Sequence, residues 1–209
     1  MPSPDSKPST RISTADPARL KEALARIDAA NAADPEREIV AGQSRPGALL
    51  YSERMTACLN VFSPQASDAL RVAVRAQHVE RWKIARTTYP AGRKGYHEWR
   101  TTLARFHAER TGALLRDAGF DEPFIARVQS LLRKEQLERD PEAQTLEDVA
   151  CLVFLQHYFL DFSRKHEAQK ILDIVRKTWR KMSPHGQQSA LQLSLPPEAA
   201  ALVQRALTA

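Results

Sequence analysis

The chain has 209 residues, of which 43% are apolar and 27% charged, and a net charge of +6. These values describe one globular domain with a sizeable core and a preference for anionic partners. They exclude a membrane span, since no run of about 18 apolar residues exists. They also exclude a zinc ribbon or disulfide framework, since Cys58 and Cys151 belong to no CxxC pair.

Residues 1–15 are rich in Pro, Ser and Thr, lack the apolar core of a secretory signal, and read as a disordered tail. A single domain over 16–209 and a cytoplasmic location are therefore expected. Asp16-Pro17 supplies an N-cap followed by proline at the first helical position, so a helix begins there. Residues 33–46 read as a loop. A second helix spans about Pro46 to Phe62. A third follows Ser63-Pro64 and carries Leu70, Ala73, Val74, Gln77, His78 and Arg81 on one stripe.

The most unusual stretch is His78–Arg100, HVERWKIARTTYPAGRKGYHEWR. It holds Arg81, Lys83, Arg86, Arg93, Lys94 and Arg100 against only Glu80 and Glu98. Trp82, Tyr89, Tyr96 and Trp99 are interleaved with them. Planar guanidinium groups beside aromatic rings suit phosphate, carboxylate or a nucleobase. The segment therefore predicts an anion-binding cleft, with Thr87–Gly95 as a bordering loop that can act as a lid.

A fourth helix is expected over about 96–118 and a fifth from about Asp121 to Leu137. A sixth starts at Asp140-Pro141, and its run VACLVFLQHYFLDF is dense enough to lie at the centre of the core. A seventh covers about 165–182 and is stopped by Pro184. The last lies near 196–207. Strand-like alternation is absent, and the fold class is all-α, a bundle of seven to eight helices. Both cysteines fall in apolar helical patterns and read as buried thiols.

Polar groups on apolar stripes are the candidate chemistry. His78 reads as a satisfied core histidine or as a cleft group. His107 lies on a semi-buried face, and Asp148 reads as part of a capping box, TLED, or as a ligand. Together these three can hold one divalent metal ion or act as an acid–base cluster. Lys134 is either a solvated helix end or a cation in the same cleft. Glu53 and Arg54 read as an internal ion pair or a polar contribution to that cleft. The seventh helix, rich in Lys and Arg, is either a solvated basic face or a surface for phosphate or RNA.

The blocks YSERM, AQHVERWKIAR, YPAGRKGYHEWR, QTLEDVACLVFL and KTWRKMS resemble the DUF4202 family over about residues 18–195. That resemblance implies no activity. RVAVRAQHV, FHAERTGALLRDAG, IARVQSLLRKE and LEDVACLVFL are more distantly similar to the HD-domain metal-dependent phosphohydrolases, an all-α superfamily. This second resemblance implies that His78 is the His of the His-Asp pair, His107 a later His and Asp148 the terminal Asp. Val79 stands in place of the pair's Asp, Tyr51 near the first His and Lys134 near a further His.

The expected function is a phosphohydrolase acting on a small phosphate-containing anion such as a nucleotide. His78, His107, Asp148 and Lys134 would carry the chemistry, the first three through a metal. Arg81, Trp82, Arg86, Arg93, Tyr96 and Arg100 would bind substrate. The alternative is a non-catalytic nucleotide- or RNA-binding module with a degenerate site of the same type. A helical interaction protein is the third expectation.

Overall fold

The N-terminal helix α1 (Pro17–Ala32) starts where the sequence places it, because the Asp16 side chain accepts from the Ala18 N–H at 3.0 Å. The computed structural model describes residues 16–208. The expected tail over 1–15 lies outside the described residues. α1 buries Ala23, Ile27 and the polar Asn31.

Between α1 and the next helix stands a two-stranded antiparallel hairpin, β1 (Arg37–Val40) and β2 (Gln43–Pro46), where the sequence reads as a loop. Ala41 and Gly42 both have positive φ, 50° and 77°, the backbone of a tight two-residue hairpin turn. The strands escape a hydrophobic reading because polarity is reversed: Ile39 is 71% exposed while Glu38 turns inward. α2 (Gly47–Phe62) begins after Pro46, which offers no side-chain cap. Asp34 supplies it from across the hairpin, accepting from Ala48 N–H at 2.7 Å and from Glu36 N–H at 2.9 Å.

α3 (Asp68–Ala76) is capped by Ser67 and ends before His78 and Arg81, which the sequence places on the helix. The chain reverses at Glu80, which has φ 49°. Asn31 holds that turn by accepting from the Glu80 N–H at 3.1 Å. Arg110 and Lys83 clamp its carboxylate at 2.8 and 2.9 Å. Two 3-10 turns follow, Arg81–Lys83 and Arg86–Thr88. This irregular path exposes a series of side chains on one wall that a helix would spread around its axis.

α4 (Gly92–Asp117) starts four residues earlier than the sequence suggests. Gly95 is required in its first turn, because a Cβ there would sit 2.0 Å from the Pro90 carbonyl oxygen. α5 (Glu122–Arg133) stops at Lys134, whose φ is 54°, short of the expected Leu137.

α6 (Pro141–Val153) is capped by Asp140, so the TLED segment lies inside the helix and caps nothing there. A π-helical segment, Phe154–Tyr158, separates it from α7 (Phe159–Ser163). α8 (Ala168–Lys181), α9 (Pro184–Leu191) and α10 (Pro197–Thr208) complete the chain. The described residues thus form ten α-helices. The π segment divides the long apolar helix, and Pro184 opens α9 at its first position, with Ser183 as N-cap, in addition to ending α8.

The core comprises two apolar clusters that meet at α6. Leu146, Val149 and Val153 face the first, with Ile27, Met55, Leu70, Leu115 and Val128. Cys151 and Leu152 face the second, with Phe159, Ile171, Val175 and Val203. α6 is therefore central, as its composition predicts. Cys151 is buried and Cys58 half-buried, both as free thiols. Burial pushes their pKa values up to about 12 and about 11.

Candidate functional site

A cavity of about 420 Å³ opens between the hairpin, the start of α2 and the irregular segment after α3. Asp34, Glu36, Glu38, Tyr51, His78, Arg81, Trp82, Arg86, Thr87, Trp99 and Tyr158 are among the residues lining it. It is of the size that small-molecule sites adopt. Three substrate-binding candidates, Arg81, Trp82 and Arg86, meet His78 here.

Arg81 is the central cation. Its guanidinium lies 4.6 Å above the Trp99 ring and, among the described residues, makes no ion pair. Burial, and then Arg100 nearby, lowers its pKa, while the Tyr51, Tyr96 and Glu36 groups pull the other way. A half-buried guanidinium without a carboxylate is costly unless something anionic visits it. Arg86 is tied differently, donating to the Tyr89 and Pro90 carbonyl oxygens at 2.9 Å each. The loop is further fastened by Trp99, whose indole N–H donates to Ile84 O at 3.0 Å.

His78 stacks on Tyr51 with ring centroids 4.0 Å apart and an interplanar angle of 16°. His107 follows behind, its ring centroid 5.9 Å from that of His78. His107 Nδ1 donates to the Val79 carbonyl oxygen at 2.9 Å. Its Nε2 is buried and has no partner among the described residues. Burial and then Arg81 hold the His107 pKa down to about 4, against a smaller upward pull from the Val79 bond. Burial, Arg81, His107, Lys134 and Arg100, in that order, hold His78 well below the ordinary histidine value. Both rings are therefore neutral at pH 7, and the bare Nε2 of His107 is an acceptor.

These depressed values fix a pH dependence. A histidine that stays neutral when folded leaves stability at its full value above the unfolded pKa, near 6.5. As pH falls from about 6.5 towards about 4, the unfolded chain binds protons that the buried rings refuse, and stability declines. Urea midpoints measured across this window should fall with pH, and His107→Gln should flatten the slope.

The remaining candidates divide. Lys134 forms an ion pair with Glu147, and Lys181 reaches the same carboxylate at 3.6 Å. Glu147 is only 6% exposed and its pKa is lowered by Lys134, Lys181 and Arg100 against the cost of burial. Sequence reasoning weighed its neighbour Asp148 and gave Glu147 no role beyond its place in the TLED segment. Arg100 acts electrostatically on Glu147, His78 and Arg81. Tyr96 is 43% exposed and packs on Trp99. Arg93 is exposed on α4, 3.5 Å from His97, and does not line the cavity.

Asp148 serves a different task. Its Oδ1 accepts from Ser183 N–H at 2.9 Å and Gln144 Nε2 at 3.0 Å, and its Oδ2 accepts from Ser183 Oγ at 2.6 Å. It thereby fastens the start of α9 to α6. Gly186 must be glycine here, since a Cβ would approach Asp148 Oδ1 to 2.6 Å. Asp148→Ala should lower stability by about 2 kcal/mol by leaving the Ser183 donors without their acceptor. Denaturant unfolding checks this. Among the described residues, no group of three or more His, Cys, Asp or Glu side chains gathers so as to hold a metal ion. No described helix is long and apolar enough to cross a membrane.

Comparison with known proteins adds one finding. The family described as "Domain of unknown function (DUF4202)" matches residues 21–203. No curated protein and no solved structure matches the chain.

Proposed function

The chain belongs to the DUF4202 family, whose description carries no activity, and from the cleft itself we propose that it binds a small phosphate- or carboxylate-bearing molecule. The observation that carries this reading is Arg81, half-buried in the cavity beside a neutral imidazole and without a carboxylate partner. An anionic ligand supplies the missing charge, and charge-assisted bonds to guanidinium are among the strongest available. Trp82 and Trp99 offer apolar faces for the rest of the molecule.

The distant similarity to HD-domain phosphohydrolases supports descent from a metal enzyme. The donors present here do not fit such a metal. Val79 replaces the pair's Asp, and the oxygens of Asp148 already accept three hydrogen bonds. Lys134 brings a cation where the superfamily places a ligand. His78 and His107 remain, two neutral rings with no carboxylate beside them. The site therefore reads as one that holds a ligand.

Thermal unfolding in the presence of AMP, ribose 5-phosphate and inorganic phosphate tests this. The midpoint should rise with ligand concentration, as it does for any molecule that binds only the native state. No product should form. Equal effects from chloride at matched ionic strength would remove the reading. Release of inorganic phosphate from AMP would replace it with the hydrolytic one.

A further inference from the structure

The cleft is not uniformly positive. The hairpin side contributes Asp34, Glu36 and Glu38, and the irregular segment opposite contributes Arg81 and Arg86. Two of the three acids are already engaged. Asp34 uses Oδ2 to cap α2 at the Ala48 N–H and Oδ1 to accept from the Glu36 N–H. Glu38 pairs with Arg54 at 2.8 Å, and Arg54 also donates to the Tyr158 hydroxyl at 2.7 Å. Glu36 is exposed, and its carboxylate makes no ion pair among the described residues. Its backbone is nonetheless fixed, because its carbonyl oxygen accepts from the Gly47 N–H at 2.9 Å.

A free carboxylate and a free guanidinium therefore share one cavity without closing on each other. Arg81 is kept from crossing by its seat over Trp99 and by the turn at Glu80. Glu36 is kept on its own wall by the hairpin. Opposite charges held apart in this way match a molecule that carries opposite charges at its own two ends. We propose that the ligand of this cleft is bipolar: an anionic phosphate or carboxylate that meets Arg81, and a protonated amine that meets Glu36. This rests on the anion-binding reading above and narrows it. It adds Glu36 as the residue that sets selectivity, a position no sequence motif singles out.

Short ω-amino alkyl phosphates, of which phosphoethanolamine is the first, should be compared with the same chains ending in a hydroxyl group. Calorimetric titration of the full chain reads both affinities. The amine should bind roughly tenfold tighter, the worth of one charge-assisted contact. Glu36→Gln should erase that preference and leave the hydroxyl series unchanged. The Glu36 side chain is exposed and unpaired, so the variant should fold normally, which its unfolding midpoint verifies. Equal binding of both series by the native chain overturns the bipolar inference and leaves the anion site standing. Binding of neither overturns both.

Discussion

Glu147→Ala should destabilise the chain by about 3–5 kcal/mol, the usual cost of removing one partner from a buried ion pair. Glu147 is buried between Lys134 and Lys181, and Lys134 keeps only 17% of its side chain exposed. Without the carboxylate, that ammonium stays in a largely dry site at the end of α5, where a left-handed backbone fixes its position. Removing the lysine as well should restore part of the loss. Glu147→Ala combined with Lys134→Met should be more stable than Glu147→Ala alone, a non-additivity that urea unfolding of the four proteins in the cycle measures. A single-variant loss below about 1 kcal/mol would show that the cluster contributes little to the fold.

Arg81→Met should have the opposite profile. Stability should change by less than about 1 kcal/mol, or rise, because the substitution removes a desolvated cation that no carboxylate compensates. Methionine can keep the apolar contact with Trp99. Ligand affinity should fall about a hundredfold, the upper range for a lost charged hydrogen bond. A residue whose removal helps the fold and harms binding is one retained for binding. Calorimetric titration with AMP, together with the unfolding midpoint, reads both quantities. A stability loss with unchanged affinity would make Arg81 structural.

The helical character of the chain was legible because its signals are local. Asp16-Pro17, Asp121 and Asp140-Pro141 each mark a helix start that the structure shows. The central place of α6 followed from its unbroken apolar run. What escaped depends on distant partners. The end of α3 is set by Asn31 and Arg110 acting on Glu80, and those residues lie 49 and 30 positions away from it. The hairpin presents Ile39 to solvent and so carries no apolar alternation. α9 was hidden because proline both stops a helix and starts one.

The candidate site was legible in part for the same reason. The guanidinium-and-aromatic segment did mark a cavity wall, with His78, Arg81, Trp82 and Arg86 on it. Residue type alone could not distribute the acids. Asp148 and Glu147 are neighbours in sequence, yet one fastens Ser183 and the other pairs with two lysines. Helical geometry turns adjacent side chains about 100° apart, so a single position decides which task a carboxylate performs. Glu36 gave no signal, because an isolated acid in a predicted loop has no periodicity to read.

Diffraction from crystals soaked in tungstate, a tetrahedral oxyanion whose metal scatters anomalously, tests the central claim most directly. The strongest anomalous peak should lie in the cleft within bonding reach of the Arg81 guanidinium, and it should vanish in Arg81→Met crystals. A cleft without a peak, while the anion collects on the basic face of α8, would contradict it.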